Sequence, residues 1–227
     1  MKFLISIAAL LTLIGCSNES NTTNNQSSES MPAQTNETAD SAVESLTVVF
    51  QKQKNPEELE ASTQQVGEEL SEVLDIPVDV FVPTSYAASV QSLISGTADV
   101  AYVSSIPYLM ADAEVDLEIL LVEVRDNRTD YDSIFVVAKD SPYESLDDLE
   151  NERMMFTSTT STSGYVMAYS RLVNDGYLDP GEDPENYFSS IAYAGGYDRA
   201  LMSVINDQAD VCAVSYYTME GPKADLY

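Results

Sequence analysis

Histidine is absent from the 227 residues, so the chain lacks the commonest general base and the commonest metal ligand. An enzymatic reading starts without its usual parts. Lys and Arg total 10 against 38 Asp and Glu, a formal charge of −28. That balance excludes nucleic-acid binding, which rests on cationic side chains neutralising phosphates, and it excludes attraction to anionic lipid. Acidity of this kind serves solubility or a saline habitat and names no partner. Cysteine occurs only at Cys16 and Cys212. Cys212 lies in an apolar stretch that reads as a buried strand, so it is expected as a small core residue rather than a disulfide partner. What the chain does have is apolar content: 44% hydrophobic residues, enough to bury a core in one large domain or two small lobes.

The N-terminus carries a single Lys2 and an apolar run, Phe3 to Ile14, too short to span a bilayer and shaped like a secretory signal. It ends Leu13-Ile14-Gly15-Cys16, which resembles the lipobox of bacterial lipoproteins. By that resemblance residues 1–15 are removed and Cys16 is diacylated. The alternative is a signal peptide cut elsewhere, with Cys16 a spare thiol. Residues 16–45 comprise that Cys and a Ser/Asn/Thr/Glu/Gln tract too polar to offset the entropy of ordering, a flexible tether.

From Leu46 onward apolar runs and capped amphipathic stretches alternate, the order of an α/β fold with a mainly parallel sheet. Strands are expected at Leu46–Phe50, Val78–Val82, Val100–Val103 and Leu117–Val124. Helices are expected after the Asn55-Pro56-Glu57-Glu58 cap, over Tyr86–Ile94 and over Pro107–Ala113. The first helix is expected to bury Leu59, Val66, Leu70, Val73 and Leu74. After a turn-rich stretch, Arg125 to Asp132, a second unit begins with a strand at Ser133–Ala138 and a capped helix that starts at Ser145-Leu146-Asp147-Asp148. It continues through Met154–Phe156, a strand near Ile191, a helix over Asp198–Ile205 and a strand at Val211–Val214. The halves echo each other: Ala98-Asp99-Val100 with Ser104 matches Ala209-Asp210-Val211 with Ser215 at the same offset. Chance can produce Ala-Asp-Val twice, but the shared helix-turn-strand setting favours two homologous lobes. Ligands in open α/β sheets lie beyond the carboxyl ends of strands, so such lobes make a cleft.

One stretch carries chemistry. Seven hydroxyls in a row, Thr157 to Ser163, follow an apolar strand and precede Gly164 and a helix whose buried face is Tyr165, Ala168, Tyr169, Leu172 and Val173. The run reads either as an ordinary N-cap or as an anion loop. In the second case unpaired N–H groups, a positive helix end and hydroxyls hold an oxyanion without a basic side chain.

Together these residues resemble the phosphate, phosphite and phosphonate substrate-binding proteins of ABC importers, a branch of the periplasmic-binding-protein type II fold. The carriers are Pro83-Thr84-Ser85-Tyr86, Gly96 to Tyr102 leading to Ser104-Ser105, and Tyr131-Asp132-Ser133. Further carriers are Asp140-Ser141, Asp147-Asp148-Leu149, Ser161-Thr162-Ser163-Gly164, Gly195-Gly196-Tyr197-Asp198 and Ala209-Asp210-Val211. The resemblance implies a two-lobed fold, with lobe 1 over residues 46–132, lobe 2 over 133–215 and the start of a return crossover to lobe 1 at 216–227. The family's C-terminal part of the first lobe has no counterpart, which implies an incomplete polypeptide. It implies a non-enzymatic, lipid-anchored, extracytoplasmic binding protein of the cell envelope that delivers a phosphorus oxyanion to a permease and its ATPase, with no cofactor and no metal. Ser161, Thr162 and Ser163 would hold the phosphonyl oxygens. Tyr86 and Tyr131 would line the cleft, and Ser104 and Ser105 would contribute from the first lobe. Tyr197 stands where many relatives carry His, Asp198 follows it, and Val103 replaces a frequent aromatic. Alternatives are a binder of another small anion or metabolite and a surface lipoprotein outside transport. A hydrolase or transferase using Ser163 or Tyr197 would lack an activating base, Cys/His metal spacing and a Gly-rich Lys loop.

Overall fold

Seven strands and five α-helices form among the described residues, 43–51 and 56–219 of a computed structural model, the side chains of α1 being described from residue 62 onward. The expected signal segment, Cys16, the tether up to residue 42, the Leu59 side chain and residues 220–227 lie outside them.

The first sheet holds β1 (Leu46–Phe50), β2 (Val78–Phe81) and β3 (Val100–Tyr102), all parallel in the order β2-β1-β3. Around it are α1 (Pro56–Leu74), α2 (Tyr86–Ile94) and α3 (Ser105–Asp112). The second sheet has the order β4-β7-β5-β6, from β4 (Ser133–Val137), β5 (Arg153–Phe156), β6 (Ser190–Tyr193) and β7 (Val211–Ser215). Its strands are parallel except β4, which runs antiparallel to β7. Its helices are α4 (Met167–Asn174) and α5 (Tyr197–Ile205).

Strand β7 is buried along its whole length and divides the core by period-two alternation. Val211 and Ala213 face the aromatic cluster of Phe156, Phe188 and Tyr187 with Leu172 of α4, whereas Cys212 and Val214 face Ala200, Leu201 and Val204 of α5. Cys212 is thus the unpaired core thiol expected, and burial alone pushes it up to about 12.

The internal echo is physical. Asp99 and Asp210 each accept, through one carboxylate oxygen at 2.8 Å, the N–H of a residue on the neighbouring strand, Thr47 and Arg153 respectively. In return each Asp N–H donates at 2.9 Å to that residue's carbonyl. The carbonyl of Ser92 takes the N–H groups of Thr97 and Ala98, and that of Ser203 takes those of Gln208 and Ala209. Gly96 (φ 67°) and Asp207 (φ 55°) make the same left-handed turn out of α2 and α5. Tyr86 and Tyr197 therefore open equivalent nine-residue helices.

Three expectations are corrected. Residues 117–124 form no strand: the stretch joins no sheet among the described residues and exposes Ile119, Leu120, Leu121, Val122 and Val124, Leu121 by 91%. Alternation and apolarity do not make a strand without a neighbour to satisfy its backbone. The buried side of α1 is also rotated from the expected stripe: Val73 is 81% exposed and Leu74 is exposed, while Thr63 and Gly67 are buried. Gly67 sets this contact, since a Cβ there would lie 2.9 Å from Val80 Cγ2 and 3.2 Å from the Val78 carbonyl. The hydroxyl run, finally, leads first into a π-helical turn, Thr162–Val166, and only then into α4.

Candidate functional site

The carboxyl ends of β1, β3, β5 and β7 lead to Gln51, Ser104, Thr157 and Ser215, and the first turns of α3 and α5 meet the Thr162 turn through the Ile106 N–H and the Tyr197 hydroxyl. The first N–H groups of a helix have no intrahelical acceptor, and the dipole end is positive. Convergent helix starts therefore suit an anion without nearby cations.

The hydroxyl run divides its labour. Thr157 is core: its hydroxyl donates to the Ala213 carbonyl at 3.1 Å. Ser158 and Thr160 pair with each other at 3.3 Å. Ser161 is fully buried and caps the turn by accepting the Gly164 N–H at 3.1 Å. Thr162 accepts the Ile106 N–H of α3 at 2.9 Å, tying an element of the first sheet to one of the second. Ser163 shares a hydrogen bond of 2.8 Å with the Tyr197 hydroxyl, and its carbonyl accepts from Ser133 at 2.6 Å. A hydroxyl that accepts one bond still has a proton to give, so Ser161 and Thr162 remain donors. Gly164 is required here because a Cβ would fall 2.2 Å from Thr157 Oγ1 and 2.8 Å from Ser161 Oγ.

Tyrosines complete the wall. Tyr86 is 1% exposed, and its hydroxyl has no hydrogen-bond partner of ordinary geometry, with the side chains of Tyr197, Ser161 and Gln51 around it. The Tyr131 hydroxyl is likewise buried and unpartnered, among Thr162, Ser105 and Ser104. Burial is the chief cause that holds both hydroxyls above the ordinary tyrosine range, with Tyr197 adding to it. Both thus stay protonated donors. Tyr217 stacks edge-on to Tyr131 and Tyr197, each at 6.1 Å, and carries Arg125 over its ring at 4.3 Å.

The structure therefore brings together Tyr86, Tyr131, Ser161, Thr162, Ser163 and Tyr197, with Ser104 and the exposed Ser105 at the α3 end. Asp198 is half-buried in the first turn of α5, where a carboxylate complements the helix dipole. Sequence reasoning missed Gln51, Tyr217 and Arg125. Gln51 had a signal: a polar residue directly after an apolar strand that ends at the cleft. Among the described residues no group of His, Cys, Asp and Glu could hold a metal, and no helix is long and apolar enough to cross a membrane.

Residues 48–225 match the family described as ABC transporter, phosphonate, periplasmic substrate-binding protein. The chain is similar to the phosphate-import protein PhnD of Mycolicibacterium smegmatis, 23% identical over 178 residues, which are 76% of this chain and 56% of that protein. In fold it resembles PhnD1 of Prochlorococcus marinus, solved in complex with methylphosphonate, with a TM-score of 0.67 at 23% identity over 75% of this chain and 63% of that one. A binding-protein component of an ABC phosphonate transporter from Pseudomonas aeruginosa gives a TM-score of 0.66 at 20% identity, over 77% and 58%. The chain spans less than two thirds of the length of each of these relatives. Its two-sheet α/β architecture is that of the type II periplasmic-binding fold.

Proposed function

Because the chain belongs to the family of phosphonate-binding periplasmic components of ABC transporters, we propose that it captures a phosphonate, phosphite or phosphate between its two sheets and delivers it to a permease driven by an ATPase. The observation that carries this reading is the pair of buried, unpartnered hydroxyls of Tyr86 and Tyr131 beside Ser161, Thr162 and Ser163. A tetrahedral oxyanion accepts from several directions at once, and these donors approach from both sheets. Each hydrogen bond to a charged group contributes about 1.5–3 kcal/mol, so uncharged donors suffice. Closing the two sheets on the anion would exclude water and signal occupancy to the permease. No reaction is assigned: Ser163 pairs with a tyrosine hydroxyl and not with a base. Asp198, an acceptor, favours an anion that retains a proton and disfavours sulfate.

The domain acts outside the cytoplasm, tethered through diacylated Cys16, since two acyl chains anchor stably where one does not. Palmitate labelling tests the anchor: label should vanish in Cys16→Ser, and undiminished label would end that part of the reading. Titration calorimetry with phosphate, phosphite, methylphosphonate, 2-aminoethylphosphonate and sulfate tests the ligand. Saturable binding of a phosphorus oxyanion in preference to sulfate is expected, and no binding of any of them would overturn the proposal.

A further inference from the structure

Tyr217 stands two residues beyond β7, in a 3₁₀ turn over Tyr216–Met219 whose Thr218 hydroxyl donates to the Ser215 carbonyl at 2.6 Å. Its ring meets two others edge-on, at 66° to Tyr131 and 83° to Tyr197, each with centroids 6.1 Å away. Those two rings carry hydroxyls of the anion site: that of Tyr197 bonds to Ser163 at 2.8 Å, and that of Tyr131 is buried without a hydrogen-bond partner. Arg125, from the segment that joins the two sheets, lies over the Tyr217 ring, 4.3 Å from its centroid. Glu123 aims that guanidinium. One of its oxygens accepts from Nε at 3.2 Å and from Nη2 at 2.5 Å, and the other accepts from the Tyr102 hydroxyl at the end of β3. The pattern recurs beside it: Arg128, held by Asp130 and Asp132, lies 5.6 Å over Tyr216, whose N–H donates to the Asp132 carbonyl at 3.0 Å.

A ring at a strand end can turn about its side-chain torsions. A cation is drawn to the ring face, and neighbouring rings favour perpendicular contact, so these three contacts leave Tyr217 one orientation. A phenol hydroxyl swings with its ring, and a hydrogen bond weakens steeply as its donor leaves the line. We propose that Tyr217, fixed by Arg125, is a positioning residue of the anion site: its ring braces those of Tyr131 and Tyr197 and so keeps both hydroxyls trained on the oxyanion. The role rests on the reading of the cleft as a phosphorus-oxyanion site. It needs the Tyr217 ring and the cation over it, and it acts only through Tyr131 and Tyr197.

Calorimetry of the full chain with methylphosphonate and with inorganic phosphate tests the role. Tyr217→Leu should bind roughly tenfold more weakly, and Tyr217→Phe, which restores the ring, should return to within about threefold of the unaltered chain. Arg125→Met should cost about threefold in the unaltered chain and nothing further once Tyr217 is Leu, the non-additivity of groups that act as a unit. With Tyr131 and Tyr197 both changed to Phe, Tyr217→Leu should cost less than about threefold, because the hydroxyls it serves are gone; a merely structural ring would cost the same in both backgrounds. Should Tyr217→Leu fail to fold, Arg125→Met with and without the Tyr131→Phe/Tyr197→Phe pair runs the same cycle. Equal losses in both backgrounds, unaltered binding by Tyr217→Leu, or a loss in Tyr217→Phe as large as in Tyr217→Leu overturn the role while leaving the site reading in place. Absence of binding by the unaltered chain overturns both.

Discussion

Single side chains in the Thr157–Ser163 run have unequal tasks, so their substitutions should separate. Ser163→Ala removes a buried donor and breaks the bond to Tyr197. Affinity for methylphosphonate should fall by roughly tenfold or more, about 1.5–3 kcal/mol for a hydrogen bond to a charged group, and unliganded stability should fall by about 1 kcal/mol with the lost Tyr197 bond. Calorimetry measures the first and thermal unfolding the second. Gly164→Ala is the opposite case: its Cβ has no room beside Thr157 and Ser161, so stability should fall by about 1–3 kcal/mol, as in overpacked cores, and binding should fall with it. Chemical denaturation of the unliganded variant checks this. Asp198→Asn should narrow the preference for protonated phosphonates over sulfate in competition titrations. The run was legible as a candidate site because seven hydroxyls before a helix are unusual chemistry. The division among them was not, because which hydroxyl faces core, cap or cleft depends on the Ala213 carbonyl and the Ile106 N–H, groups remote in the chain. Gln51 escaped notice for a related reason: its place after an apolar strand is a weak signal, and its partner Ser104 is remote in the chain.

Secondary elements were read well where local chemistry decides them. The capping box at Ser145, the left-handed Gly96 and Gly176, and the apolar run of β7 all mark element limits in the sequence itself. Residues 117–124 and the face of α1 were misread because there the decision belongs to a neighbour: a partner strand in the first case, the close approach at Gly67 in the second. The paired aspartates that lock strand starts yield an element-level prediction. Asp210 holds Arg153 through both carboxylate oxygens, at 2.7 and 2.8 Å, in addition to its N–H, whereas the carboxylate of exposed Asp99 holds the Thr47 N–H and, among the described residues, no guanidinium. Asp210→Asn should therefore cost about 1.5–3 kcal/mol near neutral pH, and Asp99→Asn less. The Arg153 guanidinium is the chief cause that holds the Asp210 carboxyl below its usual range. A depressed folded value means that the contribution is fully present above the unfolded value of about 3.9 and is lost as pH falls through the folded one. The stability gap between the unaltered chain and Asp210→Asn should accordingly close at strongly acid pH in urea melts.

At the scale of the molecule, exposed Ile119, Leu120, Leu121 and Val122, with Val124 beyond Glu123, make an apolar stretch of a kind that drives association. The purified chain should sediment with a concentration-dependent average mass, and a Leu121→Ser/Val122→Ser pair should move it toward the monomer. A sedimentation profile that does not change between the two would show the stretch to be inert. Binding that is confined to the folded state should also raise the unfolding free energy by about 2.7 kcal/mol at a hundredfold excess over Kd, read as a shift of the thermal midpoint.

A cleft whose donors are mostly hydroxyls has a kinetic corollary. Its donors hold an anion at contact, but they project little field into solvent, while the chain as a whole carries −28. An incoming oxyanion is therefore repelled until it is almost seated. Because salt shortens the reach of exposed charge to about 8 Å at physiological ionic strength, the bimolecular capture rate should rise as sodium chloride is added, the reverse of electrostatic steering. Stopped-flow tyrosine fluorescence would follow it. The escape rate, set by short hydrogen bonds in a closed site, should hardly change, so the affinity gained in saline surroundings would come from faster arrival and not from slower departure.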